Sequence, residues 1–204
     1  ITATAFLLDQ IRQASVTYDV CVALNTRNPS FLASFNIPAE VVRVPIERRI
    51  APWRDVRALL ALYRLFRRER FDLVHSVSPK AGLLAMLAGR LARVSVRVHT
   101  FTGQVWVTRT GFARWILKLM DRLTAAFATH VLVDSPSQRE FMLAQGVVSA
   151  EKSLVLGKGS ISGVDVTRFS PDPQARARLR PQLGYRDSDV VMLYLGRLNR
   201  DKGM

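Results

Sequence analysis

Residues 71–100 read FDLVHSVSPKAGLLAMLAGRLARVSVRVHT, and this stretch decides the fold class. Phe71-Asp72-Leu73-Val74-His75 is an apolar run of strand length and reads as a buried strand. Ser78-Pro79 then opens a helix over residues 80–92, with proline where a backbone N–H would lack a partner in any case. Residues 94–99 form a second β-branched run. Strand, helix and strand in about 30 residues make a βαβ unit, which demands a parallel sheet.

The alternation continues in both directions. Downstream come a long loop over 100–111, a helix over 112–127 and a strand over 130–133. Ser135-Pro136-Ser137-Gln138 is a capping-box start for a helix ending at Gly146, and 153–156 is the last strand of the run. Upstream, the strongest helix spans 53–68: Val56, Leu59, Leu60 and Tyr63 recur at three and four residues, with Arg54, Arg57, Arg64, Arg67 and Arg68 on its other positions. It is a basic amphipathic helix. A run rich in valine at 40–44, a short helix at 31–35, a strand at 18–24 and an amphipathic stretch at 5–14 precede it. The expected fold is α/β, a Rossmann-like parallel sheet with flanking helices. A helix opening the chain calls for a strand ahead of it, so we expect that strand before Ile1 and a chain cut at both ends. Residues 157–173, rich in Gly and Pro, mark a boundary. The expected domains are 1–160, a crossover over 161–189 with a helix at 174–183, and the start of a second domain at 190–204, where the apolar strand 190–195 meets Gly196-Arg197.

Composition narrows the function. Of 204 residues 49% are hydrophobic and 23% charged, the balance of a folded domain. One cysteine and three histidines, without a Cys or His cluster, argue against disulfides and a structural zinc site and favour a reducing, cytoplasmic setting. No apolar run reaches the ~20 residues that span a bilayer. The net charge is +14, and residues 41–122 hold 17 basic against 5 acidic residues, a net +12. Such a patch points to an anionic partner or to arginines on solvated helix faces. No dinucleotide fingerprint, P-loop, nucleophile elbow or HExxH motif is present.

In an open parallel sheet, ligands bind at the carboxyl ends of the strands. Four such ends carry polar residues: 75–80, 99–104, 134–136 and 196–203. At the last, a glycine turn, Arg197 and Lys202 can converge on a diphosphate. His99, followed by hydroxyls, Gly103 and Gln104, can hydrogen-bond a sugar or a polarised leaving oxygen, or bond within its own loop. His75 ranks second, and His130 lies at the opposite strand end. Trp106 can stack on a sugar, lie at a lipid headgroup layer or cap the core. Trp53 and Trp115 read as core or interface residues.

Taken in order, Val74-His75-Ser76 with Pro79-Lys80-Ala81-Gly82, the run His99 to Trp106, Gly163-Val164-Asp165 with Phe169 and Pro171, and Gly196-Arg197-Leu198 with Asp201-Lys202-Gly203 resemble the retaining GT-B glycosyltransferases, those that extend capsular or O-antigen saccharides on a polyprenyl diphosphate carrier. The resemblance implies an N-terminal acceptor domain, a C-terminal nucleotide-sugar domain and catalysis in the cleft between them. It implies donor-diphosphate contacts from Gly196, Arg197 and Lys202, and His99 or Thr102 beside the transferred sugar, Thr102 standing where relatives often carry histidine. It also implies acceptor or sugar contacts from His75, Lys80, Gly103, Gln104 and Trp106. The family's acidic pair belongs to the C-terminal domain, so the 204 residues alone are expected to be inactive. No cofactor or metal is expected. The implied partners are a nucleotide sugar, UDP-linked, a polyprenyl-diphosphate-linked acceptor and the anionic inner face of the cell membrane, where the basic helix 53–68 would dock. The alternatives are a sugar-nucleotide epimerase of the same architecture and a basic nucleic-acid-binding module; the sequence holds no nucleic-acid motif.

Overall fold

The computed structural model describes residues 6–47 and 51–196, which divide into two compact units, Ile1–Gly163 and Val164–Met204. In the first unit, helix α1 (Leu8–Ala14) leads to strand β1 (Cys21–Leu24), a 3₁₀ turn (Ala33–Phe35) and strand β2 (Glu40–Arg43). Helix α2 (Pro52–Glu69), strand β3 (Leu73–Ser76), helix α3 (Pro79–Leu91) and strand β4 (Val96–Phe101) follow. A 3₁₀ turn (Val105–Thr108), helix α4 (Gly111–Phe127), strand β5 (His130–Val133), helix α5 (Pro136–Ala144) and strand β6 (Ser153–Leu154) complete it. Every pairing is parallel: β1 with β2, and β3-β4-β5-β6 in that order. The parallel α/β architecture read from residues 71–100 is the one found.

Right-handed crossovers advancing strand by strand put successive helices on one face, and α3 packs against both α2 and α4. The sequence of α3 permits this close fit. Gly82, Ala85, Ala88 and Gly89 are buried, and at Gly89 an added Cβ would meet Arg97 Cδ at 3.0 Å. Beneath the helices lies an apolar core that includes Leu62, Phe66, Met86, Val131 and Val133. Proline opens α2, α3 and α5 in the first turn. At α5, Ser135 Oγ accepts from Gln138 N–H at 3.1 Å, while Gln138 Oε1 accepts from the N–H of Asp134, one residue ahead of the usual capping-box partner, at 2.7 Å.

Several expectations need correction. The run 71–75 is not a buried strand: β3 has a partner on one side only among the described residues, and Leu73 is 52% exposed. The long loop shrinks, because β4 runs on to Phe101 and a 3₁₀ turn fills its middle. Trp53 and Trp115 stand outside the core, 84% and 58% exposed. In the second unit, helix α6 (Pro173–Gln182) is capped by Asp172, which accepts from Ala175 N–H at 2.9 Å, and buried Arg180 donates to the carbonyl of Asp189 at 2.7 Å. Residues 190–195, expected as a strand, are not one. No neighbouring strand meets their backbone among the described residues, and Val190, Met192, Leu193 and Leu195 are 85–92% exposed. The strand expected ahead of α1 lies outside the described residues.

Candidate functional site

Parallel register brings the carboxyl ends of β3, β4 and β5 to one edge, Leu73 pairing with Val96 and Val98 with His130. At that edge is a cavity of about 220 Å³. His75 of β3, Thr100 of β4 and Asp134, just past β5, supply its polar wall, with Gln10 of α1 and Gly159-Ser160-Ile161 closing it. The closing loop is tied down on both sides. Ser160 N–H donates to the carbonyl of Asp134 at 2.7 Å, and Gln10 Nε2 donates to the carbonyl of Ile161.

Alternation along the strands sorts the polar residues into two pairs. His75 Nε2 lies 2.8 Å from Thr100 Oγ1, on the cavity side. Ser76 Oγ lies 2.8 Å from His99 Nδ1, on the helix side, where His99 is 1% exposed and meets Phe101 edge to face at 4.5 Å. Gly82 of α3 presses so closely that a Cβ there would stand 2.3 Å from His99 Cε1. The order expected for the two histidines is therefore reversed. His99 faces the interior and joins β3 to β4, whereas His75 faces the cavity. Burial, with His75 nearby, pushes the His99 pKa down to about 3, so its ring is neutral at physiological pH. The cavity walls also lower His75, and burial raises the Asp134 carboxyl. Imidazole, hydroxyl and carboxylate together can donate to and accept from a polyol.

The other expected site residues scatter. Lys80 does not face the cavity: it forms an ion pair with Asp55, tying the start of α3 to the first turn of α2, with side chains only 15% and 19% exposed. Trp106 is fully buried, its Nε1 donating to Asp121 Oδ2 at 2.8 Å and its ring stacked on Phe141 at 5.5 Å. Of its three readings, sugar platform, lipid contact and core cap, the structure takes the last. Gln104 Nε2 donates to Met142 Sδ at 3.3 Å. Thr102 and Gly103 are exposed at the tip beyond β4. Gly196 is exposed; Arg197 and Lys202 lie outside the described residues. Thr100, Gln10 and Ser160 were not singled out from the sequence. Thr100 was within reach, since a residue next to an inward-facing histidine points outward; the other two arrive by long-range packing. Among the described residues no cluster of His, Cys, Asp and Glu has metal-site geometry.

Residues 7–159 match the family described as Glycosyl transferase 4-like domain. The chain belongs to that family. Within it, the chain is 30% identical over 161 residues to the capsular polysaccharide biosynthesis glycosyltransferase CapM of Staphylococcus aureus, covering 79% of this chain and 42% of the relative. It is 28% identical over 152 residues to the UDP-Gal:alpha-D-GlcNAc-diphosphoundecaprenol alpha-1,3-galactosyltransferase of Escherichia coli, covering 74% and 38%. The chain thus spans about four-tenths of the length of these curated relatives. Among solved structures, Anabaena Alr3699/HepE in complex with UDP superposes with a TM-score of 0.62 at 19% identity, over 87% of this chain and 45% of that one. A UDP-N-acetylglucosamine 2-epimerase superposes at 0.56 with 18% identity, over 74% and 43%. At such identities the likeness speaks for the fold, that of the N-terminal half of a GT-B protein.

One prediction arises from the buried pair beside the site. Burial raises the Asp121 carboxyl to about 6 against the donation from Trp106, so the folded state binds its proton at higher pH than the unfolded chain does. That carboxyl destabilises the fold above about pH 6 and ceases to do so as pH falls to about 4. His99 has the opposite sign. Its folded pKa lies below the unfolded one, so its contribution is lost as pH falls below about 6.5, at about 1.4 kcal/mol per pH unit. Asp121→Asn keeps an acceptor for Trp106 and removes the buried charge. We expect it to be more stable than the parent at pH 7, with the difference closing near pH 4, in urea unfolding across that range. Parallel curves would refute the assignment.

Proposed function

We propose that this chain forms the acceptor-side half of a retaining glycosyltransferase. The enzyme transfers a sugar from a nucleotide sugar, UDP-linked, to a polyprenyl-diphosphate-linked saccharide in cell-surface polysaccharide assembly. The observation that carries the reading is the cavity at the carboxyl ends of β3 to β5, where His75, Thr100 and Asp134 face inward, in a chain of the glycosyl transferase 4-like family. Two relatives support it by name, one in capsular polysaccharide biosynthesis and one that acts on a diphosphoundecaprenol-linked sugar.

On this reading His75 and Asp134 bond acceptor hydroxyls, and Thr102 and Gly103 lie at the rim where the transferred sugar arrives. The leaving diphosphate gains charge as the glycosidic bond breaks. Gly196 supplies the turn, and Arg197 and Lys202 the fixed cations that stabilise that charge without a metal. The lipid-linked acceptor brings the protein to the anionic inner face of the membrane. The outer side of α2 suits that surface, with Trp53, Arg57, Arg64 and Arg67 exposed.

The test is product analysis by mass spectrometry, using the full-length enzyme, a lipid-diphosphate acceptor and a panel of UDP-sugars. His75→Ala is expected to lower kcat/KM for the acceptor by about tenfold or more with donor KM unchanged, because a hydrogen bond to the acceptor is lost. Arg197→Ala should do the reverse, impairing donor use by about a hundredfold. Chelation of divalent ions should leave transfer intact. Interconversion of the nucleotide sugar without acceptor would assign an epimerase instead. Equal effects of the two variants on both substrates would refute the division of roles.

A further inference from the structure

Neither the cavity nor the core accounts for the outer face of α4. Phe112, Trp115, Leu119 and Leu123 recur at three and four residues and share one stripe of the helix. They are 74, 58, 36 and 38% exposed. Phe112 and Trp115 stack at 5.8 Å with their rings 14° from parallel. In the 3₁₀ turn just before the helix, Val105 and Val107 are 50% and 47% exposed. This is a contiguous apolar patch built from large side chains, the kind that marks an interaction surface.

Its electrostatic setting is one-sided. Arg114, Lys118 and Arg122 recur every four residues along the flank of the stripe, and Arg109 precedes it. Between residues 73 and 133 there are eight Lys or Arg and a single acidic residue, Asp121, and that one is buried under Trp106. No exposed carboxylate from this span stands near the patch. Helix α2, packed on the other side of α3, is similar: Trp53, Val56 and Leu60 are exposed at 84, 49 and 45%, among arginines.

We propose that the outer stripe of α4 is an interfacial anchor, seating Phe112 and Trp115 in the headgroup layer of an anionic lipid bilayer. The proposal deepens the reading of a lipid-linked acceptor and rests on it for its biological setting. Aromatic rings partition to the boundary between headgroups and acyl chains, while Lys and Arg on the flank reach the anionic headgroups. The division of labour follows from the two helices. The arginines of α2 supply attraction at a distance, and the rings of α4 supply apolar insertion. A second copy of the chain is the poorer occupant. An isologous contact through this face would set its cations against one another, whereas an anionic bilayer complements them.

The experiment uses the full-length protein with vesicles of phosphatidylcholine, either pure or with about one-third phosphatidylglycerol. The Phe112→Ser/Trp115→Ser double variant should bind the anionic vesicles about tenfold or more weakly, with an unchanged circular dichroism spectrum. In a Trp53→Phe background, vesicles should shift the Trp115 emission to the blue, and brominated lipid should quench it. The same double variant should transfer sugar to a water-soluble, short-chain acceptor as well as the parent does. Parental vesicle binding by the folded double variant would overturn the proposal. So would Trp115 emission that vesicles leave unmoved, or a shift from dimer to monomer with no change in vesicle binding. Vesicle binding through Phe112 and Trp115 without any sugar transfer would uphold the anchor and remove the glycosyltransferase reading, so the two fail separately.

Discussion

Replacing Trp106 with alanine is expected to cost about 3–5 kcal/mol of folding stability, the larger part of what a domain of this size has to spare. Three losses combine. The indole is fully buried, so its removal leaves a cavity. Its stack on Phe141, with Arg114 and Lys118 each 5.4 Å from the ring centre, disappears. Asp121 Oδ2 loses the N–H that it accepts from, and a buried carboxylate without a donor is costly in itself. Trp106→Phe separates these effects. It keeps most of the packing and removes only the donor, so we expect about 1–2 kcal/mol. In thermal unfolding the alanine variant should fall by about 10 °C and the phenylalanine variant by less than half as much. Because Trp106 pins the segment between β4 and α4, the alanine variant should also free Thr102 and Gly103 at the cavity rim, seen as faster amide exchange there. Equal melting temperatures for the parent and Trp106→Ala would refute the anchoring role.

Trp106 also shows where reading a sequence reaches its limit. Its neighbours in the chain left a sugar platform, a lipid contact and a core cap equally open. The choice is made by Asp121, fifteen residues on, and by Phe141 on another helix. Lys80 is a like case: read alone it is a cation at a helix start near the site, but Asp55 of α2 claims it. The histidines fail for a different reason. Period-two alternation guarantees that His75 and Ser76 face opposite ways, and likewise His99 and Thr100. It does not say which face carries the cavity, and that depends on α3 packing one side, with Gly82 against His99. What local physics does determine was legible. The amphipathic pattern of α2, the proline starts of α3 and α5 and the β-branched runs of β4 and β5 require no distant partner to be recognised. Residues 190–195 mark the boundary of that approach: an apolar β-branched run is strand-like in pattern, but a strand exists only where another backbone pairs with it.

Gly159→Ala is expected to be as damaging as the loss of Trp106, by a different route. Gly159 has φ +100°, a conformation that side chains rarely adopt, and an added Cβ would stand 2.1 Å from the carbonyl oxygen of Asp134 and 3.2 Å from Ser135 Cα. The obstacle is backbone, so no rotamer change relieves it. The loop must lift from the end of β5, breaking the bond from Ser160 N–H to the same carbonyl and drawing Ile161 away from Gln10. Left-handed strain and the clash together should cost about 3 kcal/mol or more, and the wall of the cavity goes with them. Gly157 is the internal control. Its φ is +54°, but no atom lies within 4 Å of an added Cβ, so Gly157→Ala should cost only about 1 kcal/mol. Urea unfolding measures both. In the full-length enzyme, Gly159→Ala should abolish acceptor use at a temperature where the protein remains folded, while Gly157→Ala should leave it near the parental level. If the two variants were equally stable and equally active, the loop would not be held by Asp134, and the cavity would lose its closing wall as an element of the site.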